Sequence, residues 1–294
     1  MTQGQRHHYI PEFYLKQWGN PNRDGQLYEY CRRYKGVKTR RTHPGGTGYV
    51  RGLYTFDELN DEARNFLEDE FFLRADHKAS VALQRLLKHD LNLGDELMSA
   101  WSRFIMTLLF RNPEAIQRLR TKIAIGLPSA LGELKAAWQT ARREGDPHTF
   151  EEYAAAMPRR DVQQATLMLL RSIMDNERIG QFLNSMIWGV LTFNRLRYPL
   201  LTSDRPYIMT NGLDKPDGHL VMPISPDSIF LAARNMEIMH QLDAEFKRED
   251  LRLSEKLNDI VTRQSHRFVW GNTDTQIDFV TSRLGQRQRS MPTE

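Results

Sequence analysis

The sequence predicts an α+β fold in which N-terminal and C-terminal strands form a mostly antiparallel sheet around a large helical middle. Three observations predict it. Tyrosine-rich alternating segments punctuated by turn residues fill the first fifty-odd positions, apolar residues then recur at three and four over more than a hundred, and short apolar runs separated by Asp, Pro, Gly and Asn return after Arg195. We expect a single domain over residues 1–284, with a hairpin region at 1–56, helices at 57–193, a sheet and last helix at 194–284, and a polar tail at 285–294. A chain of 294 residues that is 40% hydrophobic is long and apolar enough to bury such a core.

In the first region, Leu27 to Cys31 alternates apolar and polar residues, and Tyr28, Tyr30, Tyr34, Tyr49 and Tyr54 favour pleated structure. Turns are signalled at Asn20-Pro21, Asp24-Gly25, Lys35-Gly36 and Pro44-Gly45-Gly46. From Asp57 the period changes. Leu59, Ala63, Phe66, Leu67, Phe71 and then Val81, Leu83, Leu86, Leu87 trace an amphipathic helical stripe. A second helix is expected from about Asp95 to Arg111, with a restart at Asn112-Pro113-Glu114, where Asn suits an N-cap and Pro the first helical position. Pro128 to Arg143 and Pro147 to Met157 read as two more. The segment from Asp161 to Phe193 is the most apolar and is expected to be the helical core. Tyr198 to Ser203, Tyr207 to Met209, Leu220 to Met222 and Ser228 to Ala232 read as strands, followed by a helix at about Arg248 to Ser265 and a strand at Arg267 to Trp270.

Charge and cysteine usage bound the function. Lys+Arg exceed Asp+Glu by only 41 to 37, a net +4 that does not by itself name a nucleic-acid binder. Distribution says more: Arg32, Arg33, Lys35, Lys38, Arg40, Arg41 and Arg51 lie in one stretch without an acid. Thirty-one arginines against ten lysines suit carboxylate or phosphate recognition, and codon bias gives the same count. The single Cys31 rules out an intrachain disulfide and a multi-cysteine zinc site, so a reducing, cytoplasmic compartment is expected. No apolar leader or stretch of about eighteen uncharged residues occurs, so neither secretion nor a membrane partner is expected. Gly-x-Gly-x-x-Gly, Walker, His-Glu-x-x-His and Gly-x-Ser-x-Gly patterns are all absent.

Three motifs remain: His7-His8-Tyr9-Ile10-Pro11 with Glu12-Phe13-Tyr14-Leu15, Thr202-Ser203-Asp204-Arg205-Pro206, and Pro223-Ile224-Ser225-Pro226. In this order they resemble the domain-of-unknown-function family 4238 over most of the chain. The resemblance matches the family's mid-chain Arg before a Pro to Arg111 and the Asn of its final helix to Asn258. Relatives carry Asn-Phe where this chain has Lys16-Gln17-Trp18. The resemblance implies no established catalytic residues, so the chemistry is argued from residue types.

Neutral imidazoles at His7 and His8 serve as metal ligands or as a general base near neutral pH, or else hydrogen-bond to backbone and anchor the N-terminus. Asp204, where a strand gives way to a turn, either joins them around a divalent metal, framed by Thr202 and Ser203, or caps its own backbone in an Asx-turn ahead of Pro206. The basic stretch either follows a phosphate backbone while its tyrosines stack on bases, or guards a sheet edge. The leading expectation is a nucleic-acid-directed, metal-dependent phosphoesterase or nuclease. In it His7, His8 and Asp204 are catalytic and metal-binding, and Arg40, Arg41, Ser203, Arg205, Arg111 and Asn258 contact substrate. The alternative is a non-catalytic interaction protein in which the His and Asp motifs are structural. Either way, the first and second motifs are expected to meet in space.

Overall fold

The structure is a computed structural model that describes residues 6–34, 36–53, 73–118, 149–152, 171–210 and 212–286, with isolated positions at 121, 122, 135 and 147. The expected helix at Asp57 to Phe71, most of those at Pro128 to Arg143 and Pro147 to Met157, and positions 161–170 of the expected helical core lie outside the described residues, as do Lys35 and the tail from 287.

Two four-stranded antiparallel sheets and a two-stranded ribbon organise the molecule. The first sheet has the order β3-β2-β10-β6, built from β2 (Leu27–Arg33), β3 (Gly36–Thr42), β6 (Thr202–Ser203) and β10 (Phe268–Gly271). The N-terminal hairpin thus shares a sheet with late strands, with Val269 opposite both Tyr30 and Ser203. The second sheet, β5-β9-β8-β7, comprises β5 (Ile187–Thr192), β7 (Ile208–Met209), β8 (His219–Pro223) and β9 (Ser228–Ala233). β1 (Arg6–His8) pairs with β4 (Tyr49–Arg51), setting His7 opposite Val50. Among the described residues every pairing is antiparallel, which permits the short turns seen in the sequence.

Helices pack over these sheets. α1 (Glu12–Leu15) is a single turn that carries Tyr14 and Leu15 into the core. α2 (Leu73–Leu86) buries Ala79, Ala82, Leu83 and Leu86 at the expected spacing against α3 (Gly94–Phe110), whose Trp101 and Phe104 lie at the centre of an aromatic cluster with Phe13, Tyr14 and Phe230. The restart after α3 takes the form its sequence requires, for Asn112 Oδ1 accepts the Ala115 amide at 2.8 Å and Pro113 opens the new turn. α4 (Glu177–Asn184) is capped by Asn176, and α5 (Met236–Gln264) by Asn235. The five-residue α6 (Ile277–Thr281) closes the chain's described part over Tyr30 and Val269.

Three boundaries differ from the sequence expectation, the first being the strand expected over Tyr198 to Ser203, of which Thr202–Ser203 alone pairs. Ile187–Thr192, expected inside the helical core, is a six-residue strand paired along its whole length with β9. A short apolar run carries no period to separate strand from helix, and the β-branched Ile187, Val190 and Thr192 with Trp188 tip the balance once β9 offers an edge. The helix expected from about Arg248 to Ser265 begins twelve residues earlier, at Met236, because Asn235 accepts the Ile238 amide and supplies a cap. Gly189 marks where α5 crosses β5, since a Cβ there would sit 3.3 Å from Met239 Sδ.

Candidate functional site

The three motifs meet. Tyr14 of the first donates its hydroxyl to the Pro223 carbonyl of the third at 2.6 Å and lies 2.8 Å from Thr202 Oγ1 of the second. Trp18 extends the junction by donating Nε1 to the Leu200 carbonyl at 2.8 Å, both within the core.

Asp204 is buried, and its carboxylate accepts backbone N–H groups from His266 at 2.8 Å, Arg267 at 2.6 Å and Phe268 at 2.9 Å. It therefore caps the segment between α5 and β10 instead of its own turn, while Ser203 Oγ accepts the Arg205 amide. Burial pushes the Asp204 carboxyl above its ordinary range, and the three donors pull it back. His7 is fully buried, and His8 is half-buried with its ring edge-on to Tyr49 at 5.5 Å. Desolvation, followed by the Arg111 guanidinium, lowers the His8 pKa. No group of three or more His, Cys, Asp or Glu placed to hold a metal ion occurs among the described residues, so the expected set of His7, His8 and Asp204 does not form one.

The expected substrate contacts divide. Arg111 has no exposed side-chain surface and binds the Asp76 carboxylate at 3.1 Å and the His8 carbonyl. Asn258 accepts the Leu201 amide at 2.8 Å and donates to the Pro199 carbonyl and to Gln276. Arg205 contributes its carbonyl to Gln264 at 2.6 Å. Arg40 and Arg41, adjacent on a strand, fall on opposite faces of the sheet and cannot grip one ligand together. Arg40 lies beside Glu29, donating Nε to Oε1 at 2.7 Å and an Nη to Oε2 at 3.0 Å. The buried Glu29 also accepts the Thr47 hydroxyl, whose oxygen accepts Trp270 Nε1.

On the Arg40 face opens a cleft of about 300 Å³ lined by Tyr9, Glu29, Arg40, residues 46–50, Pro113, Glu114, Asp204 and residues 266–268. Asp204 and Arg40 are the two expected site residues that line it; His7 and His8 do not. At its wall, His266 Nδ1 lies 2.6 Å from Glu114 Oε1, with both side chains partly exposed. Arg267 spreads its guanidinium 5.2 Å from the Phe268 ring centre, and Arg6 lies 4.9 Å from that of Tyr49. Gly48, at φ +66°, lets the loop turn so that its carbonyl accepts the Tyr9 and Ile10 amides; a Cβ there would press on the Ile10 oxygen at 3.1 Å. Burial, then the carboxylates of Asp204, Glu114 and Glu29, hold the Tyr9 phenol well above its ordinary value of 10, so it stays protonated as a donor. Glu114 and His266 escaped the sequence expectation, the first because Asn112-Pro113-Glu114 reads fully as a helix start, the second because a lone His between helix and strand carries no spacing signal.

A family model described as a protein of unknown function (DUF4238) matches residues 6–275, a span that contains all three motifs and the whole cleft lining. The chain belongs to this family. No curated protein and no solved structure shows significant similarity to it. Among the described residues of this family member, no helix is long and apolar enough to cross a membrane.

Proposed function

We propose that this protein is a nucleic-acid-directed phosphoesterase working in the cleft between Tyr9, Arg40, Glu114 and His266. The observation that carries the reading is the 2.6 Å contact of Glu114 with His266 Nδ1 at the wall of a cleft that also holds two guanidiniums. A carboxylate on Nδ1 fixes the imidazole tautomer and leaves Nε2 as the base, the arrangement general base catalysis requires. Nε2 has no hydrogen-bond partner among the described residues. Arg267 supplies positive charge for a phosphate, Arg40 adds a guanidinium held in place by its pairing with Glu29, and Tyr9 supplies a neutral hydroxyl donor.

A mixed single-stranded oligonucleotide tests this. We expect binding that weakens with salt and slow cleavage. Glu114→Gln should lower the rate by about 10- to 100-fold with affinity unchanged. Arg40→Gln should weaken affinity and reduce the salt slope by about one phosphate contact. No binding at low salt, or cleavage indifferent to Glu114, overturns the reading. A second reading, a non-catalytic interaction protein, is favoured by the engagement of Asp204, Arg111 and Asn258 with backbone and neighbouring side chains. It requires the oligonucleotide to remain intact.

A further inference from the structure

We propose that the nucleic acid taken by this cleft is single-stranded RNA and that the attacking nucleophile is its own ribose 2′-hydroxyl, an inference that rests on reading the cleft as a phosphoesterase site. Cleavage of a phosphodiester needs a nucleophile, a base for its proton, a donor for the leaving oxygen and charge against the developing phosphorane. The cleft supplies the last three. His266, held through Nδ1 by Glu114, offers Nε2 as the base, the Tyr9 hydroxyl is the donor, and Arg40 and Arg267 are the charge. One imidazole held by one carboxylate suffices when the nucleophile is already tethered beside the phosphorus, because tethering removes most of the entropic cost of bringing it there. A 2′-hydroxyl is tethered in this way, and it is also the group that separates RNA from DNA.

The walls agree with an unpaired strand. Tyr49 and Phe268 line the cleft, each with a guanidinium close to its ring, and Phe268 is held in place by stacking on Trp270, which leaves Tyr49 and the Arg267 plane as the stacking surfaces. Arginine planes and aromatic rings are surfaces on which splayed bases stack, and a duplex hides those faces. In the reaction the 2′-oxygen–phosphorus bond forms as the phosphorus–5′-oxygen bond breaks. The 2′-hydroxyl proton passes to His266 Nε2, and the departing 5′-oxygen, held by a hydrogen bond from the Tyr9 hydroxyl, takes the imidazolium's proton through water. Products are a 2′,3′-cyclic phosphate and a 5′-hydroxyl, with no net change of charge on the protein.

The test uses the full chain with three end-labelled single-stranded pools of random sequence: RNA, 2′-O-methyl RNA and DNA. We expect RNA to be cut to 2′,3′-cyclic phosphate ends, and 2′-O-methyl RNA to bind within about two-fold of RNA yet stay intact, since the phosphate contacts that dominate affinity are retained. His266→Gln should slow RNA cleavage by about 100-fold or more. The methylated substrate tests the nucleophile without altering the protein, so a poorly folding variant leaves the inference exposed to refutation. Cleavage of DNA or of the methylated pool, or RNA ends bearing 5′-phosphate, overturns the 2′-hydroxyl nucleophile while sparing the phosphoesterase reading. RNA bound but uncut overturns both chemistries and leaves nucleic-acid binding, and absence of binding to every pool at low salt overturns the whole.

Discussion

His8 occupies an environment hostile to its own protonation. Its Nε2 is buried without a hydrogen-bond partner and its carbonyl accepts from the Arg111 guanidinium; burial, Arg111 and Arg6 together outweigh a ring hydrogen bond to the Gly45 backbone and the negative charge of Glu12. The folded pKa therefore lies below the ordinary histidine value of 6.5, with desolvation as the leading cause. Below about pH 6.5 the unfolded chain takes up this proton and the folded chain resists it, so stability from this residue is present above that pH and is lost on acidification toward the lowered value. Urea denaturation at a series of pH values should show wild-type stability falling through this window, and His8→Gln should have a shallower slope by up to one proton. Equal slopes would mean that His8 titrates alike in both states. The tandem histidines were visible in the sequence as costly polar residues, yet their surroundings were not, because Arg111 reaches His8 from the far end of α3. The same limit hid the Glu114–His266 contact, whose members come from opposite halves of the chain.

Among elements, the hairpin and the late strands were legible because alternation and turn residues are local signals, and the registers of β2 with β3 and of β8 with β9 follow from them. β5 was not legible, since its apolar run fits both periods and only the presence of β9 decides. The packing of α5 on β5 at Gly189 provides a test of this assignment. Gly189→Val raises strand propensity but drives a side chain toward Met239, and we expect a net destabilisation of about 1–3 kcal/mol. Met239→Ala removes the obstruction, so the double variant should recover part of the loss, a coupling of about 0.5 kcal/mol or more in a double-mutant cycle. Additive effects would show that the two elements do not touch there. β3 shows how an element constrains function: as an edge strand it displays Arg41 on the face away from the cleft and Arg40 toward it. The basic stretch read as one patch in the sequence is thereby divided between two faces, the outer half suited to guarding the edge.

At the scale of the whole molecule, the family's motifs are joints between distant parts of one chain. Tyr14 ties the first motif to the second and third, Arg111 ties the N-terminal ribbon to α2 and α3, and Asn258 ties α5 to the strand entering the second motif. Asp204 completes the circuit by holding the three amides that lead into β10, and it is this turn that presents His266 to Glu114 and Arg267 to the cleft. The site is thus assembled by long-range joints, and loosening one should be felt at the others. Tyr14→Phe keeps the ring packed against Trp18 and Phe104 and deletes only the hydroxyl, stranding the buried Thr202 hydroxyl and Pro223 carbonyl. Its expected cost is about 1–3 kcal/mol. Hydrogen exchange discriminates a shared joint from a local defect: if the motifs hold one cooperative unit, amides of β10 and of the Asp204 turn should lose protection together with those of α1 and β8. Loss confined to α1 would show that the N-terminal motif is an attachment on a sheet that stands without it, and would separate the cleft's two walls into independently stable parts.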